Sequence, residues 1–152
     1  MIAIRAATVA DAADIAAVHV QSHREAYVGL FGPDYTAPTV AERLAMWRKV
    51  LSSGGAYVAL DDRRVIGFGH ARGTRITTLY ILSSHHRRGI GRRLLRALLD
   101  HLRAQGVDEA RFEVLMDNAG AIRFYEAHGA ERIGQGHAGG ATELHYVIPT
   151  GS

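Results

Sequence analysis

A strand-like segment, Thr77 to Leu82, leads through Ser84-His85-His86-Arg87-Arg88-Gly89-Ile90-Gly91-Arg92-Arg93 into a helical pattern that continues to about Gln105. Within that helix Leu94, Leu95, Leu98, Leu99 and Leu102 form one stripe, with Arg92, Arg96 and Arg103 opposite and Gly106 placed to end it. Such a spacing needs an apolar layer beneath one face only. The fold must therefore supply a sheet or a helix layer for this stripe to cover.

The turn ahead of the helix carries a second message. Two glycines at a helix start let the backbone turn tightly and present its N–H groups to a ligand. The same end holds the positive pole of the helix dipole, where each arginine is disfavoured by roughly 0.3–1 kcal/mol. Arg87, Arg88, Arg92 and Arg93 nevertheless crowd there. A bound polyanion removes the conflict, so the stretch reads as a pyrophosphate cradle. The competing reading is a solvated basic turn, since a lone Gly-x-Gly is a weak signal. A dinucleotide fold is a poor match, because the third glycine is missing and Ser83–Arg88 separates strand from first glycine. A Walker-type loop fails for want of Gly-Lys-Ser/Thr.

At 152 residues, with 47% hydrophobic and 22% charged content, the chain is long enough for a single domain over 1–152 with its own core. The absence of cysteine excludes disulfides, Cys-ligated zinc and thiol catalysis. Nine histidines are scattered without an H-E-x-x-H pair, so no metal is expected. The net charge of +3 suits a small anionic ligand. Basic residues gather at one loop and one helix face, a pattern that does not point to nucleic acid. Neither a secretory start nor an apolar run of spanning length is visible, so a cytoplasmic location without a membrane partner is expected.

Along the chain, Ile2 and Ile4 suggest a short strand, and Thr8-Val9-Ala10-Asp11 a capping box opening a helix to about Ser22. His23 to Pro38 is rich in aromatics and broken by Gly29, Gly32 and Pro33. Thr39-x-x-Glu42 caps a helix bearing Val40, Leu44, Trp47 and Leu51 on one face. Ala56–Leu60, Val65–Arg72 and Arg75–Leu82 read as an antiparallel meander. After the leucine-striped helix come a strand at Arg111–Leu115 and a helix Ala119–His128, capped by Asn118 and closed by Gly129. Final strands at Glu131–Ile133 and Glu143–Ile148 are separated by a glycine-rich loop, Gly134–Gly140. The order predicts an α+β fold, a mixed and mostly antiparallel sheet flanked by helices. The strands on either side of the leucine-striped helix should lie side by side. An exposed strand near Tyr146 would suit a homodimer.

Leu79-Tyr80-Ile81-Leu82 followed by His85 to Leu95 resembles the acetyl-CoA signature of the GNAT superfamily of N-acetyltransferases: a strand, then Q/R-x-x-G-x-G/A, then a helix. Asn118-Ala119-Gly120-Ala121-Ile122-Arg123-Phe124-Tyr125-Glu126-Ala127-His128-Gly129 resembles that family's second motif, and Ile4-Arg5-Ala6-Ala7-Thr8 its usual opening. Two departures stand out: His86 replaces the usual Gln or Arg, and Ser83 a common Pro.

The resemblance implies a single-domain fold whose sheet splays where acetyl-CoA binds, and direct transfer of its acetyl group to an amine in a ternary complex. Backbone groups of Tyr80, Ile81 and Leu82 would hold the cofactor's pantetheine arm. Arg87, Arg88, Gly89, Ile90, Gly91 and Arg92 would bind its pyrophosphate, and Asn118 would touch the arm while capping its helix. Tyr125 would sit beside the sulfur as general acid. Many relatives carry a glutamate base on the strand before the phosphate loop, but Arg75–Leu82 has no acid. Glu113 is the candidate offered, with Glu25, Asp34 or a water relay as alternatives.

Glu25, Tyr27, Phe31 and Tyr35 would wall the acceptor, a small-molecule or peptide amine, with Gly134–Ala141 opposite. For these rings a satellite core is the alternative. A non-catalytic acyl-CoA sensor or scaffold is the rival to the enzyme; it would keep the arginine loop and could dispense with Tyr125.

Overall fold

The computed structural model describes residues 1–27 and 36–151. In chain order these form β1 (Ile2–Ala6), α1 (Ala12–Tyr27), α2 (Val40–Leu51), β2 (Ala56–Asp61), β3 (Arg64–Arg72) and β4 (Arg75–Ile81). There follow α3 (Ile90–Ala104), β5 (Glu109–Leu115), α4 (Ala119–Ala127), β6 (Glu131–Ala138) and β7 (Ala141–Pro149). The strands make one sheet in the order β1-β2-β3-β4-β5-β7-β6. Every neighbouring pair is antiparallel except β4 and β5, the two strands that α3 connects. The expected mixed α+β sheet is the observed one.

Local chemistry explains the helix starts. Thr39 accepts the Glu42 N–H at 3.2 Å while the Glu42 carboxylate reaches back to the Thr39 N–H, satisfying two donors that the first turn leaves open. At the earlier box, Asp11 accepts the Thr8 N–H at 2.8 Å and is itself gripped by the Arg5 guanidinium. That hydrogen-bonded pair, set against a smaller cost of burial, holds the Asp11 carboxyl below its ordinary range. The helix it opens runs five residues beyond Ser22.

One face of the sheet takes α3 and α4. Leu94, Leu95, Leu98, Leu99 and Leu102 are all at most 4% exposed, packed over β3, β5 and β7. Two glycines of β3 make room, Gly67 for the Ile81 side chain of β4 and Gly69 for α3. A methyl at Gly67 would lie 2.5 Å from Ile81 Cδ1, and one at Gly69 would lie 2.7 Å from Leu98 Cδ1. On the other face α1 and α2 cover Ile66 and Phe68 with Ile15 and Trp47; the Trp47 and Phe68 rings meet edge-on at 5.3 Å.

Two expectations need correction. Gly134–Gly140 is not a loop: β6 continues to Ala138, pairs with β7 through Gly134↔His145 and Gly136↔Glu143, and turns at Gly139-Gly140. Glycine suits this strand at Gly136 because a Cβ there would stand 3.2 Å from the His145 ring. Nor is the strand at Tyr146 an exposed one. Strand β7 lies between β5 and β6, and Tyr146 is 1% exposed, donating its hydroxyl to Glu126 at 2.7 Å. The free edges belong to β1 and β6. Among the described residues no helix is long and apolar enough to cross a membrane.

Candidate active site

The parallel pair β4–β5 is joined by a single register pair, Arg75↔Arg111, beside a hydrogen bond from Arg111 N–H to Thr74 O at 2.9 Å. Beyond it the two strands share no further ladder, and the sheet opens between Tyr80-Ile81 and Leu115. Leu82 N–H is taken within the sheet by Ile66 O at 2.9 Å. Strand peptides alternate sides, so Ile81 turns its N–H and C=O toward β5 and the gap. Of the three backbone positions expected to serve a ligand, Ile81 thus faces the opening, while the Leu82 amide is already engaged.

At the carboxyl end of β4 the chain makes a tight turn before α3. Arg87 and Gly89 both adopt left-handed conformations, φ +63° and +74°. Glycine carries no steric cost there, whereas Arg87 bears about 1–2 kcal/mol of strain. The first α3 hydrogen bond runs from Arg93 N–H to Gly89 O at 3.2 Å, so the amides of Ile90, Gly91 and Arg92 precede the helical ladder. Arg87, Arg88, Arg92 and Arg93 are all exposed around them. Gly91 has a different reason to be small: a Cβ would lie 3.1 Å from the Phe124 ring of α4.

Three side chains hold this turn in place. Ser83 donates its N–H and hydroxyl to the Glu25 carboxylate at 3.0 and 2.9 Å. His85, 8% exposed, bridges Asp61 Oδ2 at 2.9 Å and Ser84 Oγ at 2.7 Å. His86 reaches back to Ile81 O at 2.7 Å. The His85 hydrogen bond is the main reason the Asp61 carboxyl sits below its usual range. For Glu25, partial burial pushes the carboxyl upward, but the bonds from Ser83 and Gln21 and the nearby His86 together bring it below its ordinary range. Glu25, expected on the acceptor wall, anchors the turn between β4 and α3 through Ser83. Phe31, Asp34 and Tyr35, and the side chain of Tyr27, lie outside the described residues.

On α4, Asn118 caps the helix, its Oδ1 accepting the Ala121 N–H at 3.2 Å. Tyr125 is 9% exposed, its ring 4.3 Å from that of Phe112 and 5.2 Å from that of Phe124. It belongs to the α3–α4 side of the sheet.

An open cleft of about 470 Å³ lies on the other side, roofed by α1 and α2 and floored by β3, β4, β5 and β7. Tyr80 and Leu115, one on each side of the gap, both line it. Glu113 is here, ion-paired to Arg75; Glu143 is here too, 3.1 Å from His145. His19 accepts the Trp47 indole N–H on Nδ1 at 3.0 Å, which leaves the proton on Nε2. Burial first, then the charges of Arg43 and His23, push His19 down to about 3. Burial also lowers His23 and His70, with Arg43 and Arg72 respectively adding to it. The three imidazoles are neutral at neutral pH.

The sequence singled out Glu113 and Tyr80 in this cleft, but not His19, Arg43, His70, Thr78 or Glu143. Those residues stand alone on otherwise ordinary helices and strands, with no local spacing to mark them.

Comparison with known proteins agrees with this geometry. The chain matches the acetyltransferase (GNAT) family over residues 20–130. An uncharacterized N-acetyltransferase of Bacillus subtilis (strain 168), YuaI, is 29% identical over 145 residues, covering 89% of this chain and 83% of its own. Two solved structures share the fold. One is the PaiA N-acetyltransferase of Thermoplasma acidophilum in complex with coenzyme A, with a TM-score of 0.76 at 20% identity over 95% of this chain and 98% of that one. The other is YncA of Salmonella typhimurium, a putative acetyltransferase with acetyl-CoA, at 0.74 and 21% over 100% and 95%. The chain belongs to the acetyltransferase (GNAT) family and is an N-acetyltransferase by class.

Proposed function

We propose that the chain takes its acetyl group from acetyl-CoA at the β4–β5 gap and passes it directly to an amine held in the α1–α2 cleft. The single-pair junction between β4 and β5 carries this reading. It leaves strand peptide groups unladdered beside a turn rich in free amides and arginines, which fits a long ligand with an anionic end. Acetyl-CoA supplies an activated acyl carbon, to which the acceptor nitrogen bonds as the carbon–sulfur bond breaks.

The protein's own groups supply the rest. The amides from Arg88 to Arg92, with the Arg87, Arg88 and Arg92 side chains, bind the pyrophosphate. The backbone at Tyr80, Ile81 and Leu82 lies along the pantetheine arm, with the Ile81 N–H facing the gap and placed to hold the acetyl carbonyl as negative charge develops on it. Asn118 fixes the start of α4, and Tyr125 gives its phenol proton to the departing sulfur. Both carboxylates of the cleft, Glu113 and Glu143, are engaged by Arg75 and His145. The acceptor nitrogen therefore loses its proton to cleft water, with Glu113 the alternative base. A cytoplasmic location belongs to this reading, as does a homodimer built on the free β6 edge, where Ile133 is 52% exposed.

Thermal unfolding with acetyl-CoA at about a hundred times its dissociation constant should show roughly 2.7 kcal/mol of stabilisation, about 5–10 °C for this length. Amine-dependent thiol release should accompany it. Stabilisation without release from any amine would identify a binding module instead. No stabilisation of the folded protein would refute the acetyl-CoA site.

A further inference from the structure

Two residues that line the acceptor cleft each carry a buried polar side-chain atom without a hydrogen-bond partner: Arg43, at Nε, on α2 and Thr78, at Oγ1, on β4. Among the described residues only Ser22 Oγ shares that condition. Leaving such an atom unmet costs about 1–3 kcal/mol, more for a charged group, so two in one cleft mark the place where a ligand's polar atoms belong.

Arg43 is the more telling. Its hydrogen bond to the protein is a weak one, from Nη1 to Met46 Sδ at 3.8 Å, and no acid among the described residues forms an ion pair with it. The neighbouring His19 and His23 are imidazoles and supply no negative charge in either protonation state. The cleft's acids, Glu113 and Glu143, are committed to Arg75 and His145. Two arginines that form no ion pair among the described residues, Arg43 on α2 and Arg72 at the end of β3, thus line an open cavity of about 470 Å³, a size that fits a small molecule. A guanidinium fork matches a carboxylate or a phosphorus oxyanion with two parallel hydrogen bonds. Thr78, two residues before Tyr80 on the strand that borders the gap, adds a hydroxyl on the same side.

We propose that the acceptor is a small amine that also bears an oxyanion, bound through Arg43 with Thr78 assisting, so that its nitrogen lies toward the β4–β5 gap. Amino acids and aminoalkylphosphonates have this chemistry; a polyamine or the N-terminus of a peptide does not. The inference rests on the acetyl-CoA reading above.

The test compares L-amino acids with their carboxamides and adds 2-aminoethylphosphonate, following thiol release at fixed acetyl-CoA. The expected result is that at least one oxyanion-bearing amine is used with kcat/KM ten-fold or more above its uncharged counterpart. The better of carboxylate and phosphonate then names the oxyanion. Arg43→Gln should raise KM for that acceptor ten-fold or more, and Arg43→Lys should recover part of the loss. Retention of the acetyl-CoA thermal shift in Arg43→Gln shows that the variant is folded. Carboxamides used as well as acids, or no transfer to any oxyanion-bearing amine by protein that acetyl-CoA stabilises, would overturn the proposal. Absence of that stabilisation in the unaltered protein would instead remove the cofactor reading, and this inference with it.

Discussion

Beneath α3 and α4 the sheet presents Phe112, Leu144, Tyr146 and Ile148, all at most 4% exposed, to a stripe of leucines. Beneath α1 and α2, beyond the packed Ile15–Trp47–Phe68 corner, it presents His70, Thr78, Glu113 and Glu143 to an open cleft. The same strands serve both sides. On β5, Phe112 and Val114 enter the core while Glu113 and Leu115 line the cleft, because successive side chains of a strand point to opposite faces. A dry face can thus hold rigid the very backbone whose other face does chemistry. The β4–β5 gap is the place where the two sides meet.

Breaking the dry face should cost stability most. Leu98→Ala removes a fully buried side chain beside Gly69 and should lower the unfolding free energy by about 2–5 kcal/mol, read from urea denaturation. A loss under 1 kcal/mol would show that this face is less tightly packed than its burial implies.

Tyr125 sits on the dry side but is assigned a chemical task, so it sharpens the comparison. Tyr125→Phe should slow acetyl transfer by about 10²-fold while changing the unfolding free energy by no more than about 1 kcal/mol. Unchanged turnover would return Tyr125 to the core.

The polar side should reveal itself through pH. His19 is 2% exposed and depressed to about 3 from an ordinary 6.5. The unfolded chain therefore takes up the proton first as pH falls. The stability that this neutral imidazole protects is fully present above pH 6.5 and is lost as pH drops toward 3. Between pH 6.5 and 5 the loss from this group reaches about 2 kcal/mol. His19→Gln, which keeps an acceptor for Trp47, should flatten that slope; an unchanged slope would locate the pH sensitivity elsewhere.

The smallest effect is expected at the helix start beside the gap. Asn118→Ala removes the cap on Ala121 N–H and should cost about 1 kcal/mol in thermal or urea unfolding. A larger loss in acetyl-CoA affinity than in stability would add a ligand contact to the cap.

The leucine stripe, the Thr39–Glu42 box, the Asn118 cap and the Gly89 turn were all legible because each is written within one or two helical turns of sequence. The turn between β4 and α3 and the start of α4 are made from such local pieces, which is why their backbone could be anticipated from the sequence. Glu25 was legible as a carboxylate near the site but not as the anchor of Ser83, which lies 58 positions away. Gly134 and Gly136 looked like loop because glycine lacks β propensity. Pairing with β7 and the crowding by His145 overrode that preference.

The sequence by itself determined which helices and strands form, where they are capped, and where a backbone turn could offer amides to an anion, since those choices depend on neighbours a few residues apart. The tertiary structure decided at which residues β4 and β5 part, after the single pair Arg75↔Arg111. It also decided that His19, Arg43, His70, Thr78 and Glu143, drawn from five separate elements, surround one cavity. A lone polar residue on a helix or strand has no partner until the sheet order supplies one, and burial fixes its charge only once the walls around it exist.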